Sequence, residues 1–345
     1  MKRTLPLYDK SHLTIPSNRI CSMPFREMDI KPNGDAFCCD WVVAPFGNIQ
    51  LHSARDVWHS ENAKEIRQSV VDKSYKYCKG DQCPWLNSPN ESGNPFVDEV
   101  PEVPDVPKVL NAAYDLTCNL FCNSCRKFIL ADQNSQRHEL FKQKILELGQ
   151  HGKLEEIVLI GGGDPFSSPH TRKWLDEGIS IAEKITIWTN GILLTRDRWS
   201  RLAPETRKAI QSIEVSIDAA EPDTYHEVRA GGDWDILMEN MAFISELRAS
   251  GEISNFRINF VVRLENYEEM PAFVRLGERF GVDDIYFSRM EDWGSFSCNQ
   301  LPARQVHLAD HSKHNDFLRI LESPELKNPK VRLGNLRGRS QNAAC

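Results

Sequence analysis

Three cysteines stand at the spacing C-x3-C-x2-C in the segment Asp115-Leu116-Thr117-Cys118-Asn119-Leu120-Phe121-Cys122-Asn123-Ser124-Cys125. A loop that short lets Cys118, Cys122 and Cys125 converge on one face of a compact metal centre. A structural zinc ion takes four protein ligands, and no fourth Cys or His lies close by in sequence. A [4Fe–4S] cube held by three thiolates keeps one iron open for an exogenous ligand, whereas an electron carrier uses four. The bland alternatives are a loop of buried or incidental thiols and a zinc site completed from elsewhere in the chain.

A second group of thiols precedes the first. Cys21, Cys38-Cys39, Cys78 and Cys83 come from separated segments, with Cys78 and Cys83 spaced C-x4-C and a turn expected at Gly34. Four such thiolates suit a closed four-ligand cluster, with a four-cysteine zinc site as the rival. Adjacent side chains diverge, so only one of Cys38 and Cys39 is expected to ligate, and Cys39 is the candidate. Cys298 and Cys345 stand alone and are read as packing or surface thiols. His307, His311 and His314 have helical spacing and read as a polar helix face.

The rest of the composition is plain. The 345 residues include ten cysteines, 40% hydrophobic and 26% charged residues, and carry a formal charge of −7. That balance argues against a nucleic-acid surface, which needs clustered positive charge. No stretch of about 18 apolar residues suggests a spanning helix, and the start, Met1 to Lys10, lacks the apolar core of a signal peptide. A cytoplasmic protein is expected, and in a reducing compartment clustered thiols suit metal better than disulfides.

Elements must position these groups. Residues 87–107 read as a linker, turn-rich and punctuated by Pro101, Pro104 and Pro107. Beyond it, short apolar runs rich in Val and Ile predict strands over 108–114, 155–160, 184–189, 212–217, 256–263 and 283–288. Helical patterns fall between them near 136–149, 169–182, 197–210, 235–249 and 267–279. Six strands alternating with helices imply a parallel α/β sheet, either a barrel or a partial barrel, although a doubly wound sheet has the same local signature. Distinctive residues directly follow the strands: the cysteine loop, then Gly161-Gly162-Gly163-Asp164-Pro165, Asn190-Gly191, Asp218, Asn266, and Arg289 with Glu291. Strand C-terminal ends are where parallel α/β barrels assemble active sites.

The cysteine loop after the first strand of such a series resembles the radical S-adenosylmethionine superfamily, over residues 108 to roughly 290. The resemblance implies a partial (β/α)6 TIM-like barrel, a [4Fe–4S] cluster on Cys118, Cys122 and Cys125, and S-adenosylmethionine chelated at its open iron. Reductive cleavage would then give a 5′-deoxyadenosyl radical that takes hydrogen from a substrate C–H bond. Within that likeness Gly161, Gly162, Gly163 and Asp164 form the motif for the methionine amino group. Ser216 and Asp218 lie near the ribose and methionine end, Arg229 pairs with the methionine carboxylate, and Asn190 and Asn266 add adenine or ribose contacts. The residue before the third cysteine is Ser124, where the family usually has an aromatic ring. The pattern Cys21-Ser22-Met23-Pro24-Phe25 … Gly34-Asp35-Ala36-Phe37-Cys38-Cys39 resembles the SPASM or twitch module, which implies a second, auxiliary [4Fe–4S] cluster on Cys21, Cys39, Cys78 and Cys83 in preference to zinc. That module usually follows the radical domain; here it precedes it.

The expected organisation is therefore an auxiliary-cluster module at 1–86, a Pro-rich linker at 87–107, a radical core at 108–290 and an extension at 291–345. The expected activity is oxidation, cross-linking or epimerisation of a peptide or carbohydrate-like small-molecule substrate, with a reductant such as a flavodoxin or ferredoxin and neither nucleic acid nor membrane as partner. The catalytic residues, the substrate and the hydrogen abstracted are not legible. Two other readings fit parts of the pattern: a zinc-stapled α/β scaffold, and a two-cluster electron carrier.

Overall fold

The computed structural model describes residues 19–80, 82–87, 94–126, 129–160, 162–291, 296 and 300–337. Gly161, Cys298 and Cys345 lie outside the described residues. The fold is mixed α/β with a mostly parallel sheet, and the chain divides into two compact units.

The first unit holds residues 1–116, 132–162 and 179–185. Its strands are β1 (Ile20–Cys21), β2 (Glu27–Ile30), β3 (Asp35–Phe37), β4 (Gly47–Asn48), β5 (Phe96–Val97), β6 (Val109–Ala112) and β7 (Leu154–Leu159), with the start of β8 (Ala182–Thr189). In the order β7-β6-β2-β3-β4, β2 and β7 run parallel to β6 while β3 and β4 turn back antiparallel. Met28 and Ile30 of β2 bury fully, so their neighbours Glu27 and Asp29 take the opposite face by simple alternation. The helix Ser135–Leu148 starts at Asn134, whose side chain accepts from the Arg137 N–H, and buries His138, Phe141, Ile145 and Leu148 along one stripe.

Residues expected to form a linker are stitched into this unit. Strand β5 pairs with β1, the Trp58 indole N–H donates to Pro104 O at 2.9 Å, and Arg55 pairs with Asp105 at 2.5 Å. Prolines there exclude a helix, yet carbonyls such as that of Pro104 remain good acceptors.

The second unit holds 117–131, 163–178 and 186–345. It continues β8 and adds β9 (Ile210–Ser216), β10 (Asn255–Val262), β11 (Asp284–Arg289) and β12 (Val331–Arg332), in the order β12-β11-β10-β9-β8. β9, β10, β11 and β12 are parallel. β10 alternates buried and half-buried residues, and its Phe260 packs on Phe273 and Phe287 with ring centroids 4.8 and 5.4 Å away.

Several helix expectations are corrected. The pattern over 169–182 gives Pro169–Glu177 only, because Gly178 follows at φ +106°, a backbone state that L side chains rarely adopt. The pattern over 197–210 breaks into Arg196–Ser200 and Pro204–Ala209, since Pro204 has no N–H to continue a helix and opens a new one instead. A 3₁₀ turn over Tyr267–Glu269 leads into the helix Met270–Arg279. The polar histidine face is also overturned: His307 and His311 lie in turns, only His314 begins a helix, and His307 is buried. Among the described residues no helix is long and apolar enough to cross a membrane.

Candidate functional site

The three-cysteine loop lies in the second unit and is fastened at both ends. Cys118 N–H donates to Leu130 O at 3.0 Å, and Phe121 N–H donates to Ala230 O at 3.0 Å. A tight turn brings Cys125 N–H to Cys122 O at 2.9 Å. Cys118 is half-buried, Cys122 buried and Cys125 exposed. Each sulfur faces N–H donors: Leu120 N and Asn190 Nδ2 reach Cys118 Sγ at 3.4 and 3.8 Å, Arg229 Nη1 reaches Cys122 Sγ at 3.7 Å, and Arg126 reaches Cys125 Sγ at 3.6 Å. Donors aimed at sulfur favour thiolates over thiols. Burial works the other way and outweighs the Leu120 N–H, so the Cys118 thiol stands raised at about 11.

Behind the loop sits a buried ionic knot. Asp218 ends the β9 run with φ +62°, and its Oδ2 accepts from Arg229 at 2.8 Å and Arg263 at 3.1 Å. Its Oδ1 accepts from Val261 N–H at 2.8 Å. Arg263, fully buried, also donates to Asn123 Oδ1 of the cysteine loop at 2.6 Å. Burial lowers the Arg263 guanidinium from its ordinary value, with Asp218 opposing. Burial also works to lower Arg229, but the charges of Asp218 and Cys122 prevail and raise it. Arg229 Nε is buried with no partner among the described residues.

The other expected cofactor contacts divide by how much bonding capacity the fold leaves them. Asp164 accepts from Phe166 N at Oδ1 and from Thr189 Oγ1 and Asn190 N at Oδ2, at 2.7 to 2.9 Å, while its own N–H donates to Thr117 O. It latches the glycine turn to the turn after β8. Asn266 is likewise engaged at both ends: Oδ1 accepts from Arg263 N–H, and Nδ2 donates to Asp218 O and Val261 O. Asn190 reaches into the cysteine loop, donating to Asn119 Oδ1 at 2.9 Å. Gly191 beside it has φ +81°, and an added Cβ would lie 2.7 Å from Leu237. In the first unit, a Cβ on Gly162 would meet Leu116 at 2.5 Å. Gly163 follows it in a bend, and Ser216 ends β9 half-buried.

Sequence reasoning brought Cys118, Cys122, Asn190, Asp218 and Arg229 to one place, but missed Arg263, Asn119 and Asn123. The signal for Arg263 was a charge directly after the apolar end Phe260-Val261-Val262 of β10, a position where a cation needs a buried partner.

A separate thiol site lies within the first unit. Cys21, Cys38, Cys39, Cys78 and Cys83 line one cavity of about 140 Å³ together with Trp41, Tyr75 and Trp85. The turn before it needs Gly34, whose φ is +83° and whose added Cβ would sit 2.9 Å from Asn48 and Gln50 side chains. Cys38 and Cys39 both line the cavity and interact with each other. Burial drives the Cys83 thiol up to about 12 and Cys21 well above its ordinary value, with the neighbouring thiols adding to the effect.

Both places suit iron–sulfur centres. The first offers three sulfurs with N–H donors and an orphaned guanidinium N–H; the second offers thiols lining one cavity. Two such thiol sites in a mixed α/β chain fit an iron–sulfur protein. The comparisons with known proteins agree. Residues 116–277 match the radical SAM superfamily and residues 21–84 match the SPASM iron–sulfur cluster-binding domain. The chain carries a radical SAM domain over residues 116–277, with a SPASM module preceding it. The radical SAM domain implies a [4Fe–4S] cluster and S-adenosylmethionine, and the SPASM domain implies auxiliary iron–sulfur.

Among curated proteins it is 28% identical to the AdoMet-dependent heme synthase of Methanosarcina barkeri, over 49% of this chain and 47% of that one. It is 24% identical to the mycofactocin maturase MftC of Mycobacterium tuberculosis, over 54% of this chain and 46% of that one. The chain thus spans about half the length of the curated relatives it matches. Among solved structures, Streptococcus suis SuiB bound to S-adenosylmethionine aligns with a TM-score of 0.43 at 16% identity, covering 76% of this chain and 51% of that one.

Proposed function

We propose that this chain is an oxidoreductase that removes hydrogen from an unreactive C–H bond of a peptide or carbohydrate-like substrate, with the SPASM-module cluster accepting an electron from the substrate radical. The observation that carries the reading is the juxtaposition of Arg229 with Cys122: one guanidinium touches a ligand sulfur and still keeps a buried, unsatisfied N–H. A carboxylate arriving beside that sulfur would complete it, which is what a guanidinium fork does well. When bound, the [4Fe–4S] centre supplies the electron that cleaves the sulfonium cofactor and so generates the hydrogen-abstracting radical.

The residues of the chain divide the remaining work. Cys118, Cys122 and Cys125 hold the first cluster, and Asn190 and Arg229 lend N–H groups that steady the thiolates. Asp218 fixes Arg229, while Arg263 ties Asp218 to Asn123 and thereby to the loop. Gly161, Gly162 and Gly163 carry no side chain and so would allow close approach of a ligand amino group, and Asp164 bonds to the turn after β8. Ser216 and Asn190 edge the same cofactor site, and Asn266 secures the strand end beneath Asp218. Cys21, Cys39, Cys78 and Cys83 hold the auxiliary cluster. The protein works in the cytoplasm, where a flavodoxin or ferredoxin supplies the electron.

The test is release of 5′-deoxyadenosine from anaerobically reconstituted protein given S-adenosylmethionine and dithionite. Release is expected from the wild type and none from the variant with Cys118, Cys122 and Cys125 all replaced by Ala. No release under any reducing condition, from protein that holds iron, ends the proposal.

A further inference from the structure

The cysteine cavity carries groups that a cluster held by four thiolates does not use. Glu27 and Asp29 of β2 and Asn111 of β6 line it as well, with Asp29 directly opposite Asn111 in the strand register. Asp29 is only 4% exposed. Its Oδ2 accepts from Lys31 Nζ at 2.6 Å, but its Oδ1 is buried with no partner among the described residues. An unpartnered carboxylate oxygen in such a place is costly to keep.

The charges around it are unbalanced. Lys31 is shared, since its Nζ also meets Asp40 at 2.5 Å, so one cation serves two carboxylates, and Glu27 has the charge of Arg26, which also pairs with Glu155. Burial pushes Glu27 and Asp29 up to about 7. Asp40, next to Cys39 in the chain, lines the same cavity, so the acids of β2 and the thiols share one space. Two tryptophans, Trp41 and Trp85, complete its wall, and aromatic faces favour cations.

We infer that the sheet side of this cavity is a binding subsite for a protonated amine, whose N–H donates to Asp29 Oδ1 with Glu27 as the second counter-charge. An ammonium would satisfy the orphaned oxygen, balance the excess negative charge and lie against aromatic rings. No bond is made or broken in this step. The link to turnover, with the amine belonging to the substrate, rests on the function proposed above; the subsite itself does not.

Isothermal titration of the anaerobically reconstituted full chain with n-butylammonium, and with n-butanol as the neutral counterpart at equal ionic strength, tests it. Saturable binding of n-butylammonium is expected, with n-butanol weaker by roughly tenfold or more, and with Asp29→Asn weakening the ammonium by roughly tenfold or more, the scale of a lost charge-assisted hydrogen bond. Glu27→Gln is a second probe in case Asp29→Asn fails to hold its iron, and a severalfold weakening is expected there. Cys118→Ala, which removes a ligand of the other centre, is expected to bind n-butylammonium as the wild type does, so failure of the radical chemistry leaves this result standing. Absence of saturable heat, equal binding of amine and alcohol, or wild-type affinity in an iron-replete Asp29→Asn or Glu27→Gln variant overturns the inference.

Discussion

The two thiol sites of this chain solve opposite problems. Around Cys118, Cys122 and Cys125 the sulfurs range from buried to exposed and meet N–H donors on Asn190, Arg229 and Arg126. Around Cys21, Cys38, Cys39, Cys78 and Cys83 the thiols crowd together; burial raises Cys21 and Cys83 well above the ordinary range, and the Cys39 side chain, with burial, raises Cys38. The first site aims N–H donors at its sulfurs, which favours thiolates, although burial holds the Cys118 thiol raised. In the second, a bound metal would take the place of the protons that the crowded thiols otherwise keep.

The sharpest way to break that contrast is a reciprocal pair of variants. Replacing Cys118, Cys122 and Cys125 with Ala is expected to cut 5′-deoxyadenosine release to background while the protein keeps one cluster's worth of iron and sulfide. Replacing Cys21, Cys39, Cys78 and Cys83 is expected to spare cofactor cleavage but uncouple it from product and lower the melting temperature, because the segments carrying them lose their metal cross-link. Within the second set Cys38→Ala is expected to retain the auxiliary iron and Cys39→Ala to lose it. Iron and sulfide analysis together with EPR of the reduced proteins reads all three; equal iron loss in both multiple variants contradicts the division of labour.

A carboxylate-to-amide change gives the next largest effect. Asp218→Asn keeps the shape of the side chain but removes the charge that two buried guanidiniums share. Stranding buried charge typically costs about 3–5 kcal/mol, so a drop of that order in unfolding free energy is expected by denaturant titration. Weaker S-adenosylmethionine binding should accompany it, as Arg229 loses its anchor. A shift under about 1 kcal/mol would mean that solvent, not Asp218, compensates Arg229 and Arg263.

Much of this arrangement was legible in the chain alone. Apolar runs such as Ile157-Val158-Leu159 and Ile185-Thr186-Ile187 found their strands because burial on both faces leaves no polar alternation to confuse them, and the cysteine loop fell at a strand end as expected. What escaped notice depends on partners distant in sequence. Arg263 is 45 residues from Asp218 and 140 from Asn123, and no local pattern announces either bond. β2 looked like part of a separate small module, yet its Met28 and Ile30 are buried in a sheet shared with β6. His307 read as one of a helical trio by spacing; burial and the nearby Arg289 instead hold its imidazole down at about 3. Local propensity fixes elements, while ion pairs between loops are decided by the assembled fold.

The smallest effect expected is also the one that separates the two sites by sign. Asp29→Asn makes the same chemical change as Asp218→Asn, but in a cavity where the carboxylate is under-compensated. Burial raises the folded-state value of Asp29 from 3.8 to about 7. In the folded protein the proton is therefore held at pH values where the unfolded chain has released it. The stability this gives is full below about pH 4 and is lost as pH rises toward 7, beyond which the folded state must bury the charge. The amide removes that loss. Relative to wild type, Asp29→Asn should thus be near neutral or destabilising at pH 5 and stabilising at pH 8, by about 1–2 kcal/mol after allowance for the disturbed Lys31, which keeps Asp40 as a partner. Urea melts of the reconstituted protein at the two pH values measure the difference. A variant less stable by the same amount at both would show that Asp29 is ionised and well paired throughout, and the contrast between an accessible, compensated site and a closed, under-compensated one would fail at its most sensitive point.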